Sequence, residues 1–440
     1  MTPKAAFMIA APTSGSGKTT IARGLMALLA HKGLKVQPFK CGPDYIDTKF
    51  HASVCGRPSI NLDTFMASPE HVRELFARYG EDADVCIVEG MMGLFDGYDR
   101  ERGSSYEIAR ELGIPIVLVV DAKSAAYSMA ALISGFLNFK SPTPQPSAQG
   151  GNNQIAGIIF NKVGSARHFE MLQQVCDDLG IACFGYLPKD ASLEQSSRYL
   201  GLDFSEKADS KALIHALEEH VDWKGLTKLF IPTLGTLCSH AGNIMFPRWE
   251  YSVLMAHNQE SFSFTYQEVL DKFEKVTFFD PEKDVPSFEG IDLLYLPGGY
   301  PEKHLEALVK NEACRQAIMD FAERGGRIQA ECGGMMYLCQ SIVTDEGEYP
   351  MCGVLPYKIS ARKADRKLSL GYRRFTLDGK EYRGHEFHYT QFYRGEGQEV
   401  RGEKIVSATQ VYDAKGNLVD NPVFRYKNVL ASYTHLYEIC

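Results

Sequence analysis

Short apolar runs alternate with amphipathic stretches along the first half of the chain. The runs end in polar residues or glycine, which is typical of buried strands that are followed by loops. Buried strands that alternate with helices predict βαβ units and a parallel sheet covered on both faces, with ligands beyond the carboxyl ends of the strands. The four runs are "KVQPFKCG", "ADVCIVEG", "IPIVLVVD" and "IAGIIFNK", and two of the helical stretches are "SPEHVRELFARYG" and "SYEIARELG".

A second series of such runs begins after residue 250, with strands predicted at "YSVLMAH", "KVTFFDP", "IDLLYLPGG" and "GRIQAECGG". Between the two series, residues 231–250 lack periodicity and are predicted to form an inter-domain linker. We therefore expect one α/β domain over residues 1–230 and a second over residues 251–440. Residues 141–153, "SPTPQPSAQGGNN", are predicted to be a mobile surface insertion in the first domain, because they are rich in Pro, Ser, Gln and Gly.

Length, charge and cysteine content narrow the class of protein. A chain of 440 residues is too long for one typical hydrophobic core, so two domains are expected. The formal charge of −8 and the lack of a Lys/Arg block argue against a nucleic-acid partner. No apolar stretch approaches the ~20 residues of a membrane span. The 11 scattered cysteines contain no C-x-x-C pair, which predicts free thiols in the reducing cytoplasm.

The stretch "APTSGSGKTT" (11–20) lies between a predicted strand and a predicted helix. Pro12 stands where a strict Walker pattern has its first glycine, but the other parts of a phosphate-binding loop are present. Glycines let backbone N–H groups close around phosphate, a lysine meets the β/γ charge, and a hydroxyl ligates Mg²⁺. The alternative is an ordinary Gly/Ser turn, which the Lys-Thr pair in this context argues against. The predicted nucleotide contacts are Gly15, Ser16, Gly17, Lys18 and Thr19.

Acidic residues follow the strands next to this loop. "KCGPDYIDTKFH" carries Asp44 and Asp47, and "VCIVEGMMGLFDG" places Glu89 at a strand end with Asp96 seven residues later. Because Mg²⁺ takes one or two carboxylates beside phosphates and waters, Glu89 is predicted to be a ligand, directly or through water. Asp44 and Asp96 could instead be turn residues, in Gly-Pro-Asp and Phe-Asp-Gly turns. Asn161 also ends a strand and could hydrogen-bond an adenine edge.

The stretch "IQAECGGMMYLCQ" carries a sharper signal. A predicted strand ends at Glu331, Cys332 lies at the bend, two glycines follow, and a helix is predicted to begin. This layout exposes a nucleophile and directs a helix N-terminus at it, which would stabilise a thiolate and a tetrahedral oxyanion. The candidate oxyanion donors are Gly333 and, in the loop "LPGGYPE", Gly298 and Gly299.

A cysteine nucleophile needs a base, usually a histidine that is distant in sequence and near in space. We prefer His435, because it follows the last apolar run, "NVLASYT", and could reach the bend. A lone cysteine is more often a small buried hydrophobe, and Cys339, farther along the predicted helix, fits that description. The other histidines of this domain are His257, His304, His385 and His388.

Both sites together make the chain resemble the cobyrinic acid a,c-diamide synthases over nearly its whole length. The resemblance implies a P-loop parallel-sheet domain of the dethiobiotin-synthetase type, followed by a class I glutamine amidotransferase domain of the triad type. Members of that family activate two peripheral carboxylates of a corrin ring with ATP and amidate each with glutamine-derived ammonia. The matching motifs are, in order, "KCGPDYIDTKFH", "VEGMMGLFDG", "LPGGYPE", "AECGGMMYL", "LGYR", "RGHEFHY" and "SYTHLY".

The resemblance also implies roles for individual residues. Cys332 would be the glutaminase nucleophile and His435 its base, and ATP and Mg²⁺ would bind at the phosphate loop. The partners would be small molecules, namely a tetrapyrrole acid, glutamine and ATP, and a homodimer is left open. The metal ligands would be Thr19, Asp47 and Glu89. The substrate and phosphoryl site would comprise Asp44, Tyr45, Asp47, Glu89 and Asp96.

The sequence departs from the family pattern at a few positions. Many glutamine amidotransferases have an acid two residues after the histidine, and here that position is Tyr437. The resembling family commonly lacks this acid too, so only the third triad residue is put in doubt, with Glu438 and Glu386 as weak candidates. Tyr199 stands where histidine is common in the family.

Other classes of protein fit parts of the sequence. A deviant-Walker ATPase switch would have a signature lysine at the start of its loop, where this chain has Thr13, and needs no cysteine at a bend. A ligand-binding protein with a decayed glutaminase half is disfavoured by Cys332 and His435. Within the same chemistry, the substrate could be another tetrapyrrole acid, such as hydrogenobyrinic acid or nickel-sirohydrochlorin, or later corrin side chains.

Overall fold

The computed structural model describes residues 5–139, 154–190, 193, 210–229, 249–258, 260–393 and 407–438. The chain divides into two compact units, Met1–Ile244 and Met245–Cys440. The predicted insertion, residue Tyr199 and residues 231–248 of the predicted linker lie outside the described residues, and a strand begins at Trp249. The predicted domain boundaries stay predictions.

The first unit is built on a seven-stranded sheet in which neighbouring strands are parallel. Its elements are β1 (Ala5–Ala10), α1 (Lys18–His31), β2 (Val36–Cys41), α2 (Asp47–Cys55), β3 (Ile60–Leu62), α3 (Pro69–Gly80), β4 (Val85–Glu89), α4 (Ser105–Leu112), β5 (Ile116–Asp121), α5 (Met129–Asn138), β6 (Ile155–Val163), α6 (Ala166–Leu179), β7 (Ala182–Pro188), α7 (Ser210–His220) and α8 (Trp223–Leu226). The strand order is β3-β2-β4-β1-β5-β6-β7, so the predicted parallel sheet is confirmed.

Alternate residues of the central strand β1 enter two different hydrophobic cores. Ala6 and Met8 belong to a core that includes residues of α3, α4 and α6. Phe7 and Ile9 belong to a second core that includes residues of α1 and α7. Since successive side chains of a strand point to opposite faces, helices cover both faces of the sheet. This explains why the strands read as continuous apolar runs in the sequence.

Helix starts and ends in this unit follow local sequence signals. The hydroxyl groups of Ser68, Ser104 and Ser165 accept hydrogen bonds from backbone N–H groups in the first turns of α3, α4 and α6. Gly113 and Gly180 end α4 and α6 in the left-handed conformation. These caps satisfy backbone groups that a helix leaves unpaired, so the helix bounds are set by nearby residues.

The glycine-rich loop after β1 lies where the strand order reverses. From β1 the chain builds β2, β3 and β4 on one side of the sheet, and it then crosses to β5 on the other side. Loops that leave adjacent strands at such a point diverge and form a crevice. The register places Glu89, the last residue of β4, beside Ile9 of β1 and Lys40 of β2. The fold thus brings the loop and the acidic strand ends to the same edge.

The second unit has a six-stranded main sheet. Its elements are β8 (Trp249–Ala256), α9 (Gln267–Leu270), β9 (Phe273–Phe279), β10 (Leu293–Leu296), a 3-10 helix (Pro301–Lys303), α10 (Leu305–Lys310), α11 (Glu312–Glu323), β11 (Ile328–Glu331), α12 (Gly333–Leu338), β12 (Cys339–Val343), β13 (Glu348–Pro350), β14 (Leu355–Ser360), a 3-10 helix (Lys363–Asp365), β15 (Ser369–Leu377), β16 (Lys380–His388), β17 (Gln391–Phe392), β18 (Val411–Asp413), β19 (Leu418–Val419), β20 (Phe424–Tyr426), β21 (Val429–Ser432) and β22 (His435–Leu436). The sheet order is β20-β21-β11-β10-β8-β9, and its pairs are parallel except β20 with β21.

Two smaller sheets complete the second unit. One has the order β13-β12-β14-β17 and the other the order β19-β18-β15-β16-β22. The sequence patterns predicted the four parallel strands β8 to β11 of the main sheet but neither of these sheets. In the described ranges, no helix is both long and apolar enough to cross a membrane. The α/β fold class is confirmed, with a parallel-sheet P-loop unit first and a second α/β unit after it.

Candidate active sites

The glycine-rich loop between β1 and α1 has the backbone of a phosphate-binding loop. Gly15 and Gly17 have φ values of 79° and 94°, in the left-handed region that glycine adopts without strain. Gly17 directly precedes α1, so the unpaired N–H groups of the first helical turn lie at the loop. A Cβ atom at Gly17 would lie 2.0 Å from Nδ2 of Asn161, so no side chain fits there. The loop therefore fits the phosphates of a nucleotide.

Lys18, the first residue of α1, is 8% exposed and folds back over this loop. Its Nζ donates to the carbonyl oxygens of Met92 at 2.5 Å and Thr13 at 3.5 Å. Burial, followed by the neighbouring Lys40, lowers the pKa of Lys18 to about 8. Both hydrogen-bond partners are neutral carbonyls, so the charge of the ammonium is available to a phosphate group.

Asn161 holds the loop from strand β6. Its Nδ2 donates to the carbonyl oxygen of Ser16 at 2.9 Å, and its Oδ1 accepts from the N–H of Lys162 at 2.9 Å. The structure thus gives this residue a contact with the phosphate loop that the sequence did not predict. Each amide atom retains capacity for one further hydrogen bond. The adenine contact stays a prediction.

Glu89 is fully buried and is the centre of the acidic cluster beside the loop. The hydroxyl of Thr19 donates to Oε1 at 2.5 Å, the Nζ of Lys40 lies 3.1 Å from the same oxygen, and Nε2 of His51 lies 2.7 Å from Oε2. Burial alone would raise the pKa of Glu89, but the Lys40 ammonium and the hydrogen bonds from His51 and Thr19 bring it well below its usual range. An ionised carboxylate beside a hydroxyl fits the oxygen ligands that Mg²⁺ prefers.

Lys40 lies between the carboxylates that the sequence assigned to a metal. Its Nζ is 2.9 Å from Oδ2 of Asp47 and 3.9 Å from Oδ2 of Asp44. Burial and the neighbouring Asp44 raise the pKa of Asp47 to about 8, although Lys40 opposes this shift. Sequence reasoning missed both Lys40 and His51. A lysine inside the otherwise apolar strand "VQPFKC" is the signal that could have found the first, because a buried ammonium needs carboxylate partners.

Asp44 and Asp96 also stabilise local backbone turns. Oδ1 of Asp44 accepts from two backbone N–H groups at the start of α2, at 2.8 and 2.9 Å. Oδ2 of Asp96 accepts from the N–H of Gly93 at 3.0 Å. These hydrogen bonds fit the turn interpretation of both aspartates. Roles for them and for the buried Tyr45 at a substrate stay predictions.

In the second unit, Cys332 lies at a sharp bend between β11 and α12. Its φ of 46° and ψ of −107° are strained for a residue with a side chain. Its N–H donates to the carbonyl oxygen of Ser432 at 2.8 Å, which ties the bend to the end of β21. The predicted arrangement of strand, bend and helix is therefore present.

The thiol of Cys332 does not have the low pKa that the sequence analysis expected. Burial raises its pKa well above the usual range, and a hydrogen bond from the N–H of Gly333 opposes this only in part. The helix that follows has six residues, Gly333–Leu338. Burial therefore outweighs the hydrogen bond from the start of the helix, and the thiol needs a base to take its proton.

The loop after β10 packs against the bend. A Cβ atom at Gly333 would lie 2.9 Å from the backbone nitrogen of Gly299. A Cβ atom at Gly298 would lie 2.1 Å from Cε1 of His435. The three predicted oxyanion glycines and the predicted base thus come together, and at these positions glycine is required because no side chain fits. Donation of their N–H groups to an oxyanion stays a prediction.

His435 begins β22 and is 2% exposed. It pairs in register with His385 of β16, and its Nδ1 lies 3.9 Å from Oε2 of Glu331. Burial, followed by the nearby His388, lowers the pKa of His435 to about 3, although Glu386 opposes this shift. The ring is therefore neutral near pH 7, which is the form that a general base needs.

Two of the other candidate histidines are engaged at both ring nitrogens. Those of His304 lie 3.2 Å from Glu260 and 3.1 Å from Glu282. Those of His388 lie 2.7 Å from Glu386 and 2.8 Å from a backbone carbonyl oxygen. These contacts argue against His304 and His388 as the base, and the choice of His435 stays a prediction.

Both acids that the sequence offered as a third triad residue have other partners, and their triad role stays a prediction. Glu438 pairs with Lys380 at 2.6 Å, and its side chain is 45% exposed. Glu386 is buried, but it is held by other partners. These are Ser369, Arg373, His388 and Asn421.

Cys339 lies elsewhere than predicted. The helix after the bend ends at Leu338, and Cys339 adopts an extended backbone as the first residue of β12. It is fully buried, and its Sγ lies 3.7 Å from Sδ of Met335. The short helix places this cysteine in the hydrophobic core rather than along the helix.

Comparisons with known proteins follow the same division of the chain. Residues 7–201 match the CobQ/CobB/MinD/ParA nucleotide binding domain, and residues 259–438 match the CobB/CobQ-like glutamine amidotransferase domain. A protein of Caldanaerobacter subterraneus subsp. tengcongensis named cobyrinate a,c-diamide synthase is 37% identical over 98% of this chain and 94% of its own length. A Brucella anthropi protein named hydrogenobyrinate a,c-diamide synthase is 36% identical over 99% of this chain and 98% of its own length. The chain therefore belongs to the cobyrinate and hydrogenobyrinate a,c-diamide synthase family.

Proposed function

We propose that this chain is a carbon–nitrogen ligase that uses ATP and glutamine to convert the a and c carboxylates of cobyrinic acid into amides, in corrinoid (cobalamin) biosynthesis. One observation carries the proposal. The same chain pairs a phosphate loop beside buried carboxylates with a cysteine at a strained bend whose neighbouring loop touches a buried histidine. Relatives named as a,c-diamide synthases support it. Each unit would perform one half of the reaction.

The first unit would activate the acid. A carboxylate is a poor electrophile, and phosphorylation by ATP turns one of its oxygens into a leaving group, which gives an acyl phosphate. Lys18 would neutralise charge on the transferred phosphoryl group, while the loop glycines hold it in position. Mg²⁺, held by Thr19 and Glu89 with Asp47 as a third predicted ligand, would supply further charge neutralisation.

The second unit would supply ammonia. His435 takes the proton of Cys332, and the thiolate attacks the amide carbon of glutamine. The N–H groups of Gly299 and Gly333 would donate to the resulting oxyanion. His435 then returns the proton to the leaving nitrogen, ammonia departs, and water hydrolyses the thioester to glutamate. Ammonia displaces phosphate from the acyl phosphate and completes the amide.

Other tetrapyrrole acids are the main alternative substrates. Relatives named for cobyrinate and for hydrogenobyrinate are 37% and 36% identical to this chain, so sequence identity favours neither of these two substrates. Nickel-sirohydrochlorin presents peripheral carboxylates to which the same chemistry applies. An ATPase switch is disfavoured by Thr13, where a signature lysine would stand, and by Cys332 at its strained bend.

An assay of each candidate acid tests the proposal. The purified chain would be incubated with ATP, Mg²⁺, amide-labelled glutamine and cobyrinic acid, hydrogenobyrinic acid or nickel-sirohydrochlorin in turn. We expect cobyrinic acid to gain two labelled amides, detected by mass spectrometry, and to gain none when ATP is omitted. Preferred use of another acid would reassign the substrate within the family. ATP hydrolysis that yields no amide on any of the acids would contradict the ligase proposal.

Glu89→Gln is expected to remove amide formation while glutamine hydrolysis stays measurable. The change removes the negative charge that Thr19 and Lys40 contact, and with it the predicted binding of Mg²⁺ or of the acid. We therefore expect the rate of amide formation to fall by roughly 10²-fold or more. Amidation with ammonium salt and hydrolysis of glutamine would be measured side by side. Glu74→Gln, which alters a half-buried carboxylate of α3 in contact with His71, is the matched control. Normal amidation by a folded Glu89→Gln protein would contradict the assignment.

A further inference from the structure

A buried carboxylate lies behind the ring of His435. Glu331 is the last residue of β11 and directly precedes Cys332. Its Oε2 lies 3.9 Å from Nδ1 of His435, and both side chains are 2% exposed. Strand pairing explains the proximity, because Glu331 lies opposite Ser432, three residues before His435. Glu331 and Cys332 therefore lie at the end of β11, and His435 lies three residues beyond the end of its neighbour β21, at the start of β22.

The Glu331 carboxylate is fixed by its own hydrogen bonds. The hydroxyl of Tyr295 donates to Oε2 at 2.9 Å, and Nε2 of Gln329 donates to Oε1 at 2.8 Å. The backbone of Leu436 adds a further hydrogen bond. These neutral donors favour the ionised form of the carboxylate and fix its position. In the described part of the chain, Glu331 has an ion-pair contact with His435, which becomes a cation once its ring is protonated.

We propose that Glu331 is the positioning residue for His435, in place of the acid that many glutamine amidotransferases carry two residues after the histidine. Its carboxylate would orient the ring and stabilise the imidazolium that forms when His435 takes the Cys332 proton. The proposal rests on the proposed glutaminase role of Cys332 and His435. A separation of 3.9 Å is too long for a hydrogen bond, but such contacts in free enzymes tighten during the reaction.

Because both side chains are buried, the charge on each depends on the charge on the other. Burial lowers the pKa of His435 to about 3 and raises the pKa of Glu331 to about 8, so each charge is unfavourable when it stands alone. An imidazolium and a carboxylate about 4 Å apart in a medium of low dielectric constant offset much of this penalty. Proton transfer from Cys332 should therefore depend on an ionised Glu331.

Glu331→Gln tests this dependence. We expect kcat for glutamine hydrolysis to fall by roughly 10²-fold or more with a small change in KM, because the proposed role of Glu331 acts through His435 and not through substrate binding. Amidation driven by ammonium salt should be unchanged. Glu331→Asp should recover part of the lost rate. Tyr295→Phe removes one hydrogen-bond donor to the carboxylate, so it should lower glutamine hydrolysis by a smaller factor and leave ammonium-driven amidation unchanged.

The pH profile separates a positioning role from a structural one. Because Glu331 ionises above its raised pKa of about 8, glutamine hydrolysis by the unaltered protein should rise as pH increases through that value. This rise should be absent in Glu331→Gln. Other titratable groups that face the pair stay in place in the variant, so the difference between the two profiles isolates Glu331. They are Cys332, His385, His388, Glu386 and Tyr295.

A parallel Cys332→Ala variant distinguishes failure of the inference from failure of the proposed function. If Cys332→Ala uses glutamine normally, the glutaminase assignment fails. If Cys332→Ala cannot use glutamine but Glu331→Gln matches the unaltered protein at every pH, the inference alone is overturned. If Glu331→Gln does not fold, the test uses Glu331→Asp and Tyr295→Phe instead. Unchanged kinetics of glutamine hydrolysis in both variants would overturn the inference.

Discussion

Lys18→Ala is expected to abolish amide formation with either glutamine or ammonium salt as the nitrogen source. Lys18 is buried over the phosphate loop, where its Nζ donates to the carbonyl oxygens of Thr13 and Met92. In the reaction this ammonium would meet charge on the transferred phosphoryl group in a site with little water. Loss of one such charge corresponds to several kcal/mol, or a rate loss of about 10³-fold or more.

The measurement compares amide formation with glutamine hydrolysis in the same preparation. Glutamine hydrolysis should remain measurable in Lys18→Ala, because the second unit carries its own nucleophile. Lys32→Ala is the matched control, since Lys32 follows α1 directly and pairs with Glu218 at the protein surface. Such exposed pairs contribute little, so its activity should be nearly unchanged. Normal amidation by a folded Lys18→Ala protein would contradict the phosphate-loop assignment.

The first unit was largely predictable because its signals are local. The apolar runs became β2, β4, β5 and β6, and the helices between them start and end at serines and glycines that the sequence displays. The partners of Glu89 were not predictable in this way. Lys40 and His51 reach it from other elements, across 49 and 38 residues of sequence, and only the strand order brings them together.

The second unit was less predictable, for two physical reasons. Its smaller sheets consist of strands as short as two residues, such as Gln391–Phe392 and Leu418–Val419, which are too short to show an alternating pattern. The second reason is the burial of the Cys332 thiol. The bend at Cys332 was visible as a strand end followed by glycines, but its pKa depends on desolvation by the whole core. The contact between Glu331 and His435 likewise depends on strand pairing over a long stretch of chain.

Cys332→Ala should lose amidation driven by glutamine while keeping amidation driven by ammonium salt. Only the attack on the glutamine amide carbon needs the thiolate, whereas the activated acid accepts ammonia from any source. We expect the glutamine-dependent rate to fall by roughly 10³-fold or more, since no other group replaces a covalent nucleophile. The ammonium reaction should be measured at alkaline pH, where more free ammonia is present. His435→Ala should show the same pattern, with a smaller loss.

Cys339→Ala is the matched control, because Cys339 is also fully buried in the second unit, seven residues farther along the chain. Removal of its small sulfur side chain should lower the free energy of unfolding modestly and leave both nitrogen sources usable. Normal use of glutamine by Cys332→Ala would show that the bend does not carry the nucleophile. Loss of ammonium-driven amidation in a folded Cys332→Ala protein would instead show that the thiol also serves the synthetase reaction, and the assignment of one task to each unit would then fail.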